Sequence, residues 1–591
     1  MSRRDIDFLL HEWLDTGGLL ARTPFTELSR ETVDAVLDLA EDLATSAFAP
    51  HNRTADLNEP TFDGRAVTVL PEIGLALEKF ADAGFMAAPL PLKAGGLGMP
   101  SSVFNACMSW FYAANTGTSG YALLTLAAGN LLAHHGSPEM VESYVKPMMA
   151  GRFFGTMALS EPHAGSNLAD ITTRAEPQSD GTYRIFGRKM WISGGDHELT
   201  ENIIHLVLAR CPGAPVGARG ISLFLVPKYL LSEDGGRGER NDVTLAGINH
   251  KMGFRGTVNT APVFGDGAFA PGGRHGAVGY LVGDLHGGLP VMFSMMNEAR
   301  ISVGLCATAL GYTGYLKSLA YARERLQGRP AGASPTTAQV PLVAHPDVRR
   351  MLLAQKSYVE GALALSLFSA RLVDDAATLT GVEAEDATRL LGLITPIAKS
   401  WPSQWCVAAN DLAIQVMGGA GYTRDYDVEQ HYRDNRLNPI HEGTHGIQAL
   451  DLLGRKVLAD GGVGLALLAS RILSTAERAA ASGPDGAALA GHLKSAVGRL
   501  VSTTELLVAA DDRASVLAEA TTYLEAAGHL VVAWLWLEQW VATVGKEDAF
   551  YQGKRLAARY FITRELPRID YMLDVLTASD GLLLALDPEV L

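Results

Sequence analysis

Apolar positions fall into distinct regimes along the 591 residues. Up to about residue 150 they recur at helical spacing, as Val33, Val36, Leu37, Ala40 and Leu43 do after Ser29. Ser137-Pro138-Glu139 predicts a further helix start, with a capping hydroxyl, a proline at the first helical position and an acid in the first turn. From about 153 to 285 the period shortens to that of strands. Thr182 to Phe186 follows the turn-forming Ser179-Asp180-Gly181 as the second arm of a hairpin. Ile203 to Ala209 and Gly220 to Val226 are short β-branched and leucine-rich runs bounded by glycine and proline. Together they predict a small β-barrel or sandwich.

Helical spacing returns after about 286. Arg300 to Gln327 is predicted as one long helix, with Gly304, Ala307, Gly311 and Gly314 allowing a neighbouring helix to approach closely. A second long helix starts after His345-Pro346-Asp347, and 329–345 reads as a loop. About four more helices are expected from 465 to 591, where Leu530, Trp534 and Leu537 form an apolar stripe that needs burial. Segregated strands and helices give an α+β fold. The expected domains are an N-terminal helical domain (1–152), a β-barrel (153–285), a helical bundle (286–464) and a helical extension (465–591).

Composition narrows the function. The formal net charge of −15 argues against a global nucleic-acid surface. The four cysteines, Cys107, Cys211, Cys306 and Cys406, are far apart and form no CxxC pair, so neither a zinc site nor a disulfide framework is expected and the cytoplasm is the expected location. The apolar run Leu530 to Leu537 is too short to span a bilayer. No GxGxxG follows a strand. Gly418-Gly419-Ala420-Gly421 comes nearest but follows a helix-like stretch, which disfavours a dinucleotide-binding βαβ unit.

Four segments carry candidate chemistry, each with a plainer reading beside it. Met157 through Ser166 offers hydroxyls, small residues and a proline-set turn that suit a flavin ring or a phosphate, or form an ordinary surface loop. Lys189 through Gly195 places Trp191 and Ser193 at a strand end, where they could stack on and bond to a planar ring or simply fill the core. Gln415 through Tyr422 reads as a glycine-rich helix end. His441 through Gln448 sets Glu442 between two histidines. His441 and His445 could be a helical metal pair, but Gly443 and Gly446 weaken that helix and no third ligand is evident, so no metal is expected.

In their order and spacing these segments resemble the acyl-CoA dehydrogenase family over residues from about 30 to 460, and the extension resembles a bacterial branch of it. The resemblance implies non-covalent FAD held by Met157, Leu159, Ser160, Gly165, Ser166, Trp191, Ile192, Ser193, Gln415, Gly419 and Thr444, with Arg325 reaching the flavin of a neighbouring subunit. It implies Glu442 as the base that removes the α-proton of an acyl-CoA thioester, Ser166 and Arg300 beside the substrate, a trans-2-enoyl-CoA product and an electron-transfer flavoprotein as acceptor. An acyl-CoA oxidase, and a flavoprotein without dehydrogenase activity, are the alternatives. Some family members carry their base near Asn297-Glu298-Ala299-Arg300, but at the position held here by Ala299, so Glu298 is the weaker candidate. The chain departs from the family after Arg325, where Leu326-Gln327-Gly328 lacks an aromatic residue, and at Gly446. If the extension covers the surface that joins two dimers in shorter relatives, a homodimer results. The rival reading docks Val531 to Trp540 on a membrane, although that stretch has no lysine or arginine.

Overall fold

The computed structural model describes residues 1–578 and 581–591. The side chains of 294–297 lie outside the description, and with them Asn297 in the segment of the second candidate base. The chain forms two compact units, Glu31–Ala299, and Met1–Arg30 together with Arg300–Leu591.

In the first unit, helix α1 (Arg30–Leu43) buries Val33, Leu37, Ala40 and Leu43 on one face, as their spacing requires. Helix α2 (Ser101–His135) breaks at Asn115, whose side-chain oxygen accepts from the Thr118 amide (3.0 Å) and caps the second half. Ser137 caps the following helix through the Met140 amide.

A nine-stranded sheet follows, made of β1 (Phe153–Ala158), β2 (Arg174–Pro177), β3 (Tyr183–Arg188), β4 (Ile192–Ser193), β5 (Asn202–Arg210), β6 (Ile221–Pro227), β7 (Val243–Ile248), β8 (Asn259–Phe264) and β9 (Ala277–Val282). The order is β7-β8-β3-β9-β6-β5-β1, with β4 on β8. Strand β2 pairs with both β3 and β5, so β2, β3, β9, β6 and β5 close into a ring. The predicted hairpin is β2–β3, joined at Pro177 and Tyr183. Ile185, Val207, Phe224, Val226 and Phe264 fill the core. Strand β1 runs parallel to β5 and lies so close to α2 that a Cβ on Gly155 would come within 2.5 Å of Ala128 Cβ.

Helix α3 spans Gly288–Glu324, starting twelve residues before the predicted boundary and ending three before it, and its residues from Arg300 onward belong to the second unit. At its start, Pro290 lies in the first turn, where proline is tolerated. At its end, the backbone of 325–327 pairs instead with 340–342 through Gln327 N–H to Val340 O (3.0 Å) and Leu342 N–H to Arg325 O (2.9 Å). Helices α4 (Pro346–Thr378) and α5 (Gly381–Met417) complete the bundle. The glycines of α3 are where α5 comes closest. A Cβ on Gly304, Gly311 or Gly314 would lie 1.9 Å from Ala398 O, 2.7 Å from Cys406 Cβ and 2.5 Å from Asn410 Nδ2 respectively.

After α6 (His445–Leu450) comes the extension, which holds more helices than the four expected. Asp512 and Asp548 are N-caps, each accepting from two backbone amides, and each starts a further helix. Helix α7 (Ala520–Ala542) is its centre, with Leu530, Trp534 and Leu537 buried inside this chain. Trp536 donates to Ser357 O (3.0 Å) on α4, in space left by Gly361. Among the described residues no single helix is long and apolar enough to cross a membrane.

Candidate functional site

The first unit holds the loop after β1. Its shape is fixed by Glu161, a buried carboxylate that accepts from the amide and hydroxyl of Thr172 (both 2.8 Å), from those of Thr173 (3.0 and 2.6 Å) and from Lys189 Nζ (3.0 Å). Burial alone would raise its pKa, but Lys189 and the threonines outweigh that and hold it at about 2. Burial brings Lys189 down to about 8 despite the attraction of Glu161. Lys189 also donates to Leu159 O (3.0 Å), and the Met190 amide to Ser160 O (3.0 Å), so strand and loop are bound together.

On that scaffold Trp191 has a left-handed backbone (φ 65°) and an indole that is 64% exposed. A tryptophan so placed contributes nothing to the core and leaves one large planar apolar surface for a ligand. Ser193 is held next to β1 by Thr156 Oγ1, which donates to its carbonyl (2.7 Å), and its hydroxyl accepts from Asn259 (3.1 Å). Met157, Leu159, Ser160 and Ser193 are half-buried, and Gly165 and Ser166 stand exposed at the loop tip. Planar apolar surface, hydroxyls and small loop residues fit an isoalloxazine ring. Ile192 differs: its side chain lies in the sheet core and its carbonyl accepts from Thr260 (2.8 Å).

The second unit holds Glu442. A chain of polar side chains leads to it: Asn435 donates to Asn410 (2.8 Å) and to Ala307 O (3.0 Å), Asn438 donates to Asn435 (3.0 Å), and His441 bonds to Asn438 (3.1 Å). Glu442 and Gly443 then take left-handed backbones, at φ 53° and 88°. Such a conformation costs a glutamate about 1–3 kcal/mol and persists where the surroundings enforce it. Two grips do so: Gln448 Nε2 donates to the Glu442 carbonyl (2.9 Å), and Lys399 Nζ donates to the Gly443 carbonyl (2.6 Å). No hydrogen-bond donor among the described residues reaches the Glu442 carboxylate. Burial raises its pKa, and Lys399 and Arg300 partly offset the rise.

Arg300 is not a solvated helix arginine. It is buried and paired with Asp451 (2.8 Å). Glu298 is exposed, with its carboxylate accepting from Asn130 (2.8 Å), and Ala299 is buried. His441 and His445 do not share a helix, because α6 begins at His445, which bonds to Ser400 (3.1 Å). Thr444 is the N-cap residue of α6. Gln415 is exposed at the end of α5, Gly419 follows Gly418 (φ 60°), and Arg325 is exposed just past α3. Lys399 and Asp451 carry no motif, and Gln448 closes the segment from His441 without having been singled out. The trace of Lys399 in the sequence is a lone cation in the otherwise uncharged run Ile394 to Trp401.

Four family models match the chain in succession: acyl-CoA dehydrogenase N-terminal domain (residues 30–152), middle domain (156–266) and C-terminal domain (286–458), then acetyl-CoA dehydrogenase C-terminal like (468–587). The chain is 34% identical to 3-methylmercaptopropionyl-CoA dehydrogenase of Ruegeria pomeroyi, covering 95% of each. It is likewise 34% identical to the broad-specificity linear acyl-CoA dehydrogenase FadE5 of Mycobacterium tuberculosis, covering 99% of this chain and 98% of that one. Its fold is similar to that of a Bacillus anthracis acyl-CoA dehydrogenase solved with FAD (TM-score 0.75, 19% identity, 97% of this chain and 92% of that one). The chain therefore belongs to the acyl-CoA dehydrogenase family, FAD-dependent enzymes that desaturate acyl-CoA thioesters.

Proposed function

We propose that Glu442 is the base that takes the α-proton of a straight-chain acyl-CoA. The observation that carries this reading is a carboxylate with no donor, raised pKa and a strained backbone gripped from both sides. A hydrogen beside a thioester is a weak acid, and its removal favours a base whose pKa has been brought towards the working pH. Desolvation does that for Glu442, while Lys399 and Arg300 keep the ionised form accessible. FAD supplies the acceptor for the β-hydrogen as hydride. Met157, Leu159, Ser160, Trp191 and Ser193 would hold the ring, with Ile192 contributing backbone alone and Gly165 and Ser166 lying towards the ligand. Arg325, Gln415, Gly419 and Thr444 would complete the cofactor's contacts, Arg325 from a second subunit. Arg300, committed to Asp451, would act on the charge of Glu442 from beside the substrate.

The straight-chain preference rests on the linear acyl-CoA dehydrogenase FadE5. An electron-transfer flavoprotein as acceptor, division of the chain at 152/153, 285/286 and 464/465, a homodimer and a cytoplasmic location complete the reading. The dimer is supported by the burial of α7 within its own chain, and the location by four cysteines that form no disulfide among the described residues. Light scattering should give twice the 62.9 kDa chain mass. Anaerobic addition of a panel of acyl-CoAs should bleach the flavin, fastest with linear acyl groups. A flavin that stays oxidised with every acyl-CoA would refute the reading, and stoichiometric H2O2 in air would make the enzyme an oxidase.

A further inference from the structure

Lys399 is fully buried on α5, and among the described residues its ammonium makes one hydrogen bond, to the Gly443 carbonyl (2.6 Å). An ammonium has three donors, and enclosing one against a single carbonyl is unfavourable compared with an apolar side chain of the same length. The position is not accidental packing. Gly304 lets α5 close onto α3 at Ala398 and Lys399, and Arg300 lies one turn before Gly304 on α3. The groups facing Lys399 are Glu442 from the turn, Arg300 from α3 and His445 from the start of α6. Arg300 is neutralised by Asp451, which Arg455 also approaches (3.7 Å). Burial, with Lys399 and Arg436 adding to it, takes His445 down to about 4, so it carries no charge near neutrality. Lys399 is thus the cation beside Glu442 that, among the described residues, is in no ion pair.

We propose that Lys399 is a positioning residue for proton abstraction: clamped on the Gly443 carbonyl, it holds the left-handed turn that aims Glu442 and supplies the charge that lets its carboxylate persist away from water. The role rests on Glu442 being the base. Gln448 performs the first task from the other side, on the Glu442 carbonyl, but brings no charge. Loss of Gln448 therefore loosens the turn alone, and loss of Lys399 loosens it and also raises the pKa of Glu442. Burial and Arg300 bring Lys399 itself down to about 7, against the pull of Glu442, so its charge is present on the acid side of neutrality, where Glu442 needs it.

The test follows flavin reduction of the holoenzyme by an acyl-CoA from about pH 5.5 to about pH 9.5 in Lys399→Met, Lys399→Arg and Gln448→Leu. In Lys399→Met the acid limb should move up by about one pH unit, so that the loss is about tenfold greater at the acid end than at the alkaline end. Lys399→Arg should leave the limb in place, and Gln448→Leu should lower the rate by one factor at every pH. A Lys399→Met profile that is lowered but unshifted, or an upward shift in Lys399→Arg, overturns the proposal. Stability provides a readout independent of turnover. A lysine with a lowered folded-state pKa opposes folding most below that value, so Lys399→Met should gain on the wild type below about pH 7, and the gain should close as pH rises towards the ordinary lysine value. A gap constant with pH also overturns it. Glu442→Gln is run alongside: full activity there refutes the base and leaves the Lys399 profile to be judged separately.

Discussion

Two glutamates, each near a buried lysine, have opposite fates in this protein. Glu161 in the loop after β1 accepts from two amides, two hydroxyls and Lys189, and is held at about 2. Near Glu442 the lysine gives its hydrogen bond to a backbone carbonyl, and burial raises the carboxyl. A carboxylate saturated with donors is a strut, because a proton gained there breaks several charge-assisted bonds. One left without donors in a partly closed site can take a proton at small cost. The acid beside glycine in the second unit is thus free for chemistry, and the acid beside proline in the first is consumed in shaping a loop.

The largest expected effect tests the free member of that contrast. Glu442→Gln should retain FAD and lower flavin reduction by about 10²–10⁴-fold in anaerobic stopped flow. The strut should fail differently. Lys189→Met leaves the Glu161 charge buried without its cation, and urea unfolding should show a loss of about 3–5 kcal/mol. The pH dependence has a definite sign. The folded-state value of Glu161 lies below the ordinary 4.5, so its contribution is fully present above about pH 4.5 and is lost as pH falls through about 2. The stability gap between wild type and Glu161→Gln should close over that window. A gap unchanged down to the acid end would remove Glu161 from the role of strut.

A smaller effect sharpens the contrast on the α3–α5 side. Gly304→Ala places a methyl group against Ala398 O and should cost about 1–3 kcal/mol in thermal unfolding, with a fall in turnover as Lys399 and Arg300 shift. The smallest concerns Trp191. Its indole is largely exposed, so Trp191→Ala should change the stability of the flavin-free protein by no more than about 0.5 kcal/mol. It should weaken FAD binding by about 0.5–1.5 kcal/mol in a fluorescence titration. Unchanged FAD affinity would place the ring elsewhere.

Much of this was legible in the sequence where the signal was local. The helix-approach glycines of α3, the hairpin at Ser179-Asp180-Gly181 and the stripe Leu530, Trp534 and Leu537 each follow from a short period or a turn residue. Glu442 and Trp191 lie in segments that each had a plainer reading, and they stood out through the resemblance to the acyl-CoA dehydrogenase family. What stayed hidden is long-range. Lys399 meets Gly443 across 44 residues, Arg300 meets Asp451 across 151, and Lys189 meets Glu161 across 28. In the linear pattern Lys399 shows only as a lone cation in an uncharged run, and nothing distinguishes Lys189 from a solvated lysine. The extra helices of the extension have a local signal, because Asp512 and Asp548 are ordinary N-caps.

The central claim is that Glu442, and no other acid, removes the α-proton. It is tested most directly with a 3-thia-acyl-CoA, in which sulfur replaces the β-carbon, so that hydride transfer is blocked and α-proton chemistry alone remains. In D2O the wild-type holoenzyme should wash deuterium into the α-carbon, as followed by mass spectrometry, and Glu161→Gln should do so wherever it remains folded. Glu442→Gln should bind the thioester and leave the α-carbon unlabelled. Labelling by Glu442→Gln at the wild-type rate would contradict the account.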